Sequence, residues 1–92
     1  QRELNGGYYF MKKNVTIQMK ESLEATPIAH LVQLANQYRS RIYLEMDSKK
    51  VNAKSIMGMM SLVLTKGSVV TIDAQGEDEE KAVTAIENFL TE

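Results

Sequence analysis

Hydrophobic and polar residues alternate strictly over residues 14–20, which is the pattern of a β-strand with one buried face. The apolar positions of this strand are Val15, Ile17 and Met19. The spacing changes to three and four residues over 28–38, as expected for an amphipathic helix entered through Pro27, a residue that a first helical turn tolerates. The apolar positions of this helix are Ile28, Leu31, Leu34, Ala35 and Tyr38. The pattern therefore predicts a strand followed by a helix.

Alternation returns over residues 41–46, and the polar residues 47–49 favour a turn into a short strand at 50–52. These two strands are predicted to form a hairpin. Residues 69–74 give a fourth strand by the same pattern.

A second helix is predicted to begin at Ser55 and to run for about two turns to Leu64, with an interruption at Gly58. A cation and a glycine at 66–67 would close it. Its apolar residues cannot all be buried, because consecutive helical positions point in different directions. Some of them should therefore be exposed.

A last helix is predicted to begin within residues 75–78, with acidic side chains in the first turn, where the helix dipole favours negative charge. Its apolar face comprises Ala82, Ala85, Ile86, Phe89 and Leu90. The element order is then βαββαβα. The hairpin and the single-faced strands favour an α+β fold, with a four-stranded antiparallel sheet and three helices on one face.

Composition excludes several classes of protein. At 92 residues the chain is one small domain. Eleven basic against twelve acidic residues give a net charge of −1, so no basic surplus indicates direct nucleic-acid binding. Without cysteine there is no disulfide framework or thiolate metal site, and the apolar runs are shorter than the ~20 residues of a membrane span. We expect a cytoplasmic protein without metal, cofactor or membrane insertion.

The first ten residues do not follow the patterns of the rest. Gly6 and Gly7 precede three aromatic residues, and Met11 resembles a native start. We therefore interpret residues 1–10 as a cloning remnant or an upstream extension that is disordered, and residues 11–92 as a single domain.

The run 51–58, Val-Asn-Ala-Lys-Ser-Ile-Met-Gly, resembles the segment around the regulatory serine of the HPr family, the small phosphocarrier proteins of the bacterial sugar phosphotransferase system. In this resemblance Ser55 is the regulatory serine. Residues 22–29 are similar to the family's other motif, Gly-Ile/Leu-His-Ala-Arg-Pro-Ala, and the likeness extends from about Lys12 to Leu90. It implies an HPr-like open-faced β-sandwich.

Two residues of the upstream motif depart from the family. Glu24 stands where the family has its phosphoacceptor histidine, and Thr26 stands where it has an arginine, while Pro27 fits. The regulatory paralogue Crh also lacks the histidine, although it keeps the arginine. Glu24 has no imidazole nitrogen for reversible transfer, and Thr26 could not grip a phosphoryl group as arginine does. His30, the single histidine, is expected within the helix rather than at its start, as a solvated or half-buried side chain. The alternative is a pH-sensing or partner-contacting role.

Ser55 has two interpretations. Serine is a preferred helix N-cap, and a cap alone explains its position. The resemblance implies instead a site phosphorylated by an HPr kinase/phosphorylase, with the seryl-phosphorylated form serving a catabolite control transcription factor as corepressor. A partner-binding face is expected from Lys54, Ile56, Met57 and Met60, because methionine adapts to varied contacts. Glu24, Thr26 and Pro27 are expected to contribute to it, whereas Met59 is the candidate for burial.

The sequence therefore predicts a non-enzymatic regulatory protein of the phosphotransferase system and of carbon catabolite repression. It would act through protein contacts controlled by phosphorylation of Ser55, and it would not be competent for histidyl phosphotransfer. Two alternatives stay open. One is a true phosphocarrier with an atypical acceptor, and the other is an interaction module that is never phosphorylated.

Overall fold

The computed structural model describes residues 2–5, 8–19 and 25–92. Five strands and three helices follow one another in this part of the chain. They are β1 (Arg2–Asn5), β2 (Tyr8–Thr16), α1 (Ala25–Ala35), β3 (Arg41–Met46), β4 (Lys49–Asn52), α2 (Ile56–Met59), β5 (Val69–Gln75) and α3 (Glu79–Thr91). After residue 10, this order is the predicted βαββαβα.

One antiparallel sheet contains all five strands in the order β1-β2-β5-β3-β4. Its centre is β5, which pairs with β2 from Met11 opposite Ala74 to Thr16 opposite Val69, and with β3 on its other edge. Alternation decides which face is buried, since inward residues of β2, β3 and β5 join one core cluster with the helices. The core includes Val15, Ile17, Ile28, Leu31, Ala35, Ile42, Leu44, Met59, Val70, Ile72, Ile86 and Leu90. The predicted sheet with helices on one face is confirmed.

The structure differs from the sequence-based prediction within residues 1–10, which were expected to be disordered. Arg2 pairs with Met11 and Asn5 with Tyr8, so β1 and the start of β2 form a hairpin at the edge of the sheet. The sheet therefore has a fifth strand. The reason is that residues 8–10 continue the extended run of β2, and a β-strand is stabilised by any antiparallel partner that returns beside it.

The β3–β4 hairpin was predicted correctly, and its turn is tighter than expected. Asp47 and Ser48 alone connect the strands, and both have positive φ angles of 51° and 66°. Two successive left-handed residues form the turn type whose twist matches that of the strands. Lys49 consequently belongs to β4.

Helix α2 is shorter than predicted, because it ends at Met59 instead of Leu64. Beyond it the chain tightens, with Ser61 N–H bonded to the Gly58 carbonyl at 3.1 Å and Ser61 Oγ donating to the same oxygen at 2.6 Å. That carbonyl is thus occupied at short range and does not continue an α-helix. Leu62 and Leu64 are still buried, but from irregular chain.

The glycine predicted to close that helix forms a separate turn. Gly67 has φ of 92°, and Ser68 N–H donates to the Thr65 carbonyl at 3.0 Å. The turn docks on the residue that follows β2, since Gly67 N–H bonds to the Ile17 carbonyl and Ile17 N–H bonds to the Ser68 carbonyl, both at 2.8 Å. Gly67 therefore directs the chain into β5.

Helix α3 begins at Glu79, slightly later than the predicted start, and buries Ala82, Val83, Ile86 and Leu90. Two of the predicted acidic residues, Glu79 and Glu80, lie in its first turn. None of the helices in the described part of the chain has the length and hydrophobicity needed to span a bilayer.

Candidate partner-binding site around Ser55

Ser55 is the N-cap of α2. Its φ and ψ angles of −108° and 116° are extended, and its Oγ accepts a hydrogen bond from Gly58 N–H at 3.3 Å. The Ser55 carbonyl accepts from Met59 N–H at 2.9 Å and closes the helical turn. Ser55 itself is half-buried. The capping bond of Ser55 is therefore confirmed, and its interpretation as a phosphorylation site stays a prediction.

The residues after Ser55 form an apolar surface that we call the α2 patch, made of Ile56, Met57 and Met60. Their exposed fractions are 44%, 82% and 56%. Met59 is the anchor of the turn, because it is fully buried in the core. A one-turn helix has too few hydrogen bonds to be stable alone, so burial of Met59 holds the patch in place. Exposed apolar side chains next to one another make this patch a candidate for contact with another molecule, and its predicted role in partner binding stays a prediction.

Lys54 is fixed by three hydrogen bonds. Its N–H donates to Asn52 Oδ1 at 2.8 Å, its carbonyl accepts from Asn36 Nδ2 at 3.3 Å, and its Nζ donates to the Tyr38 carbonyl at 2.6 Å. The ammonium thus lies just beyond α1, where the carbonyl end of a helix favours a cation. Lys54 was expected on the partner-binding face, and the structure gives its charge an internal partner.

A second polar cluster joins the start of α3 to the chain that follows α1. Asp78 accepts hydrogen bonds from Arg39 N–H at 2.9 Å, from Ser40 N–H at 2.9 Å and from Ser40 Oγ at 2.5 Å. The bond from the Ser40 hydroxyl, followed by that from Arg39, lowers the pKa of Asp78 from 3.8 to about 2, against the smaller opposing effect of desolvation. Ser40 is fully buried. Asp78 is therefore ionised and satisfied, and it makes no side-chain hydrogen bond to its own helix.

The upstream motif is described only in part. Glu24 lies outside the described residues, and Thr26 belongs to α1 without a described side chain. Pro27 is half-buried in the first turn of α1, as its sequence context indicated. His30 is exposed on α1, which agrees with the interpretation as a solvated helical histidine. Their predicted contribution to partner binding stays a prediction.

Two features of the site were missed from the sequence. Val63 is 73% exposed and lines a groove with Met46 and Lys49, so it adds a further exposed apolar side chain to those of the α2 patch. Its position between the buried Leu62 and Leu64 was a usable signal, because extended chain alternates its side chains. The Lys54 contact to Tyr38 had no signal, since it joins residues of different periodic segments.

Comparison with known proteins agrees with this geometry. A family model described as the PTS HPr component phosphorylation site matches residues 11–92. The HPr-like protein Crh of Bacillus subtilis is 46% identical over 82 residues, which cover 89% of this chain and 96% of that protein.

Solved structures give the same result. The phosphocarrier protein HPr from Bacillus anthracis superimposes with a TM-score of 0.84 at 43% identity, covering 88% of this chain and 96% of that one. The crystal structure of Bacillus subtilis Crh, a domain-swapped dimer, superimposes with a TM-score of 0.70 at 49% identity, covering 83% and 87%. These relatives are carrier or regulatory proteins and not enzymes. The chain therefore belongs to the HPr family of the phosphotransferase system and is similar to Crh.

Proposed function

We propose that this protein is a Crh-like regulator that acts by protein–protein interaction under control of phosphorylation at Ser55. The observation that carries the proposal is the position of a half-buried serine hydroxyl directly before the exposed α2 patch. A modification at Ser55 changes the charge at the border of an apolar docking surface. Phosphorylation there would alter affinity without requiring a large movement of the fold.

The local geometry suits a phosphoryl group on Ser55. The backbone N–H groups of Ile56 and Met57 are the first two of α2, so they have no acceptor within the helix. A phosphoryl group adds about −1.5 to −2 charges and three strong acceptor oxygens. It would replace the long bond from Gly58 N–H with contacts to these donors. Because α2 is a single turn, these direct contacts matter more than its dipole.

Histidyl phosphotransfer is excluded in this proposal. Glu24 occupies the position of the family's acceptor and offers a carboxylate, and Thr26 offers no bidentate grip for a phosphoryl group. His30 lies inside α1, where the backbone N–H groups are committed to the helix. A phosphoryl group on His30 would lack the donors that a helix N-terminus provides.

The partners that the family implies are an HPr kinase/phosphorylase, a catabolite control transcription factor and other phosphotransferase system proteins. The apolar α2 patch fits recognition by another protein, and a location in the bacterial cytoplasm would bring these partners together. Thr26 would weaken the contact with the usual transcription factor by about 1.5–3 kcal/mol, the value of a lost charge-assisted hydrogen bond.

Intact-mass spectrometry tests the proposal. The protein is incubated in parallel with ATP and an HPr serine kinase, and with phosphoenolpyruvate and the general enzyme of the phosphotransferase system. One added phosphate in the first reaction alone is expected. Ser55→Ala should abolish it, whereas Ser61→Ala, which removes an exposed hydroxyl from the same segment, should keep it. A label that persists in Ser55→Ala places the modification elsewhere.

The alternative of a true phosphocarrier draws support from the likeness to the Bacillus anthracis phosphocarrier. An acid-labile phosphate in the phosphoenolpyruvate reaction would establish it and overturn the proposal. If Glu24 and Thr26 explain the loss of transfer, Glu24→His alone should restore little, and Glu24→His with Thr26→Arg should restore more. An interaction module without phosphorylation would take no label in either reaction.

A further inference from the structure

A single peptide group lies between two charged side chains near the end of α1. The Tyr38 carbonyl accepts from Lys54 Nζ at 2.6 Å, and the N–H of the same peptide group, on Arg39, donates to Asp78 Oδ2 at 2.9 Å. A cation therefore contacts the oxygen of this group and an anion contacts its nitrogen. Hydrogen bonds in such a chain polarise one another, so each is strengthened by the other.

We propose that this peptide group transmits the phosphorylation state of Ser55 to the start of α3. The inference rests on the proposed modification of Ser55 and adds its regulatory consequence. Lys54 immediately precedes Ser55, and the Lys54 ammonium is the cation of the chain of contacts. What happens at Ser55 therefore changes the partner available to Lys54.

A phosphoryl group competes with the Tyr38 carbonyl for Lys54. A phosphoryl group brings about −1.5 to −2 charges and three strong acceptor oxygens, so it attracts the ammonium by a direct Coulomb interaction that the neutral Tyr38 carbonyl lacks. The backbone of Lys54 is held by Asn52 and Asn36, so the side chain can change partner without moving its own main chain. The ammonium turns toward the phosphate, and the Tyr38 carbonyl loses its charged donor.

Loss of the Lys54 contact then weakens the hydrogen bond between Arg39 N–H and the Asp78 carboxylate. Without the cation on its oxygen, the peptide group is less polarised, and the Arg39 N–H is a weaker donor to the carboxylate. Asp78 also holds Ser40, and the Cα of Ser40 lies 2.7 Å from the position that a Cβ on Gly76 would occupy. The turn before α3 thus packs tightly on the segment that the peptide group controls. A weaker bond at Arg39 loosens the start of α3 at a distance from Ser55.

Nuclear magnetic resonance tests the relay on chains that carry phosphoserine at position 55 through genetic encoding, which makes the test independent of a kinase. We expect the Arg39 amide proton to shift upfield and its hydrogen exchange to accelerate about tenfold, which corresponds to about 1.4 kcal/mol. In Lys54→Met the amide should already be shifted without phosphoserine, and phosphoserine should add no further change. Lys54→Arg keeps a cation and should keep the response.

The matched control is Lys49→Met. Lys49 Nζ also donates to a backbone carbonyl, that of Ser61 at 3.3 Å, without a link to Arg39. This variant should respond like the wild type. The relay is overturned if the Arg39 amide does not respond to phosphoserine, or if it responds equally in Lys54→Met. The proposed function fails separately, when the serine kinase adds no phosphate to the native chain while the encoded phosphoserine still moves Arg39.

Discussion

Helices α2 and α3 each follow a short polar residue, Ser55 and Asp78, and the side chains of these two residues have different hydrogen-bond partners. Ser55 accepts a hydrogen bond from Gly58 of its own helix, whereas Asp78 makes no side-chain bond to α3 and binds Arg39 and Ser40 instead. The same local preference for an N-cap thus gives a local stabilisation in one case and a tertiary link in the other. The position before a helix favours a residue type, but the rest of the fold determines the hydrogen-bond partner of its side chain.

Ser55 and Asp78 also differ in the burial of the side chains around them. Around Ser55 the chain exposes apolar side chains, with Met57 at 82%. Around Asp78 it buries polar ones, with Ser40 at 0% and Glu79 at 5%. The first region exposes apolar side chains, and the second uses its polar groups to join segments of the chain. Substitutions should therefore be costly near Asp78 and mild near Ser55, apart from the anchor Met59.

Alanine substitution of Gly76, near Asp78, and of Gly58, near Ser55, should give the largest difference in the free energy of unfolding. Gly76 has φ of 155°, and a Cβ there would lie 2.7 Å from Ser40 Cα, so Gly76→Ala should cost about 3–5 kcal/mol in backbone strain and overpacking. A Cβ on Gly58 meets Val51 at an ordinary 3.5 Å, so Gly58→Ala should stabilise α2 by about 0.5–1 kcal/mol. Urea unfolding measures both. Equal effects of the two substitutions would contradict this contrast.

The methionines of α2 separate its anchor from its surface. Met59→Ala empties a fully buried site and should lower the free energy of unfolding by about 2–5 kcal/mol. Met57→Ala removes an exposed side chain and should stay within about 0.5 kcal/mol, while weakening binding to a partner of the α2 patch. Calorimetry and a binding assay on the same variants give the two readouts. A large loss of stability in Met57→Ala would mean that the patch is structural.

Acid should lower the stability that the Asp78 carboxylate contributes, whereas the hydroxyl of Ser55 does not titrate in the acidic range. The folded-state pKa of Asp78 is lowered from 3.8 to about 2, so the stability that it contributes is fully present above its unfolded pKa and is lost as pH falls from 3.8 through about 2. In Asp78→Asn this part of the pH dependence should disappear. Glu77→Gln, a change at the exposed neighbour, should keep it. Denaturant midpoints measured over acidic pH would refute the assignment if the two variants had identical slopes.

The Ser55 cap should make only a small contribution to stability. Ser55→Ala removes the acceptor of Gly58 N–H and should cost about 1 kcal/mol. Ser55→Asp keeps a capping oxygen and should restore most of that loss. Thermal unfolding of the two variants beside the wild type measures the difference. A Ser55→Ala variant of unchanged stability would show that the 3.3 Å bond contributes nothing to folding.

Periodic patterns were sufficient to predict most of the architecture. Val15 and Ile17 are buried at a spacing of two, and Ile28, Leu31 and Ala35 at spacings of three and four, as the sequence indicated. These positions could be predicted because each periodicity belongs to one backbone conformation. Asp47 also marked its turn by residue type, although its positive φ became visible only in the structure.

The features that the sequence analysis missed depend on hydrogen bonds that no periodic pattern marks. Leu62 and Leu64 look like a continuation of α2, yet they are buried from irregular chain because Ser61 already occupies the Gly58 carbonyl. Arg2 to Asn5 carry no strong strand pattern and form a strand because Tyr8 to Met11 pair with them. The bonds from Asp78 to Arg39 and Ser40 span almost forty positions of the chain, with separations of 39 and 38. Hydrogen bonds between residues so far apart in the sequence cannot be predicted from the residue types around either partner.

The register of β2 also constrains how the protein is made on the ribosome. Met11 to Thr16 pair with Ala74 to Val69, so this early strand must wait for residues synthesised much later before the sheet can close. During that interval β1 is the neighbour already present, since it precedes β2 and pairs with residues 8–11. The β1–β2 hairpin thus covers one edge of residues 8–11 early, while the opposite edge, at residues 11–16, stays unpaired until β5 has been made.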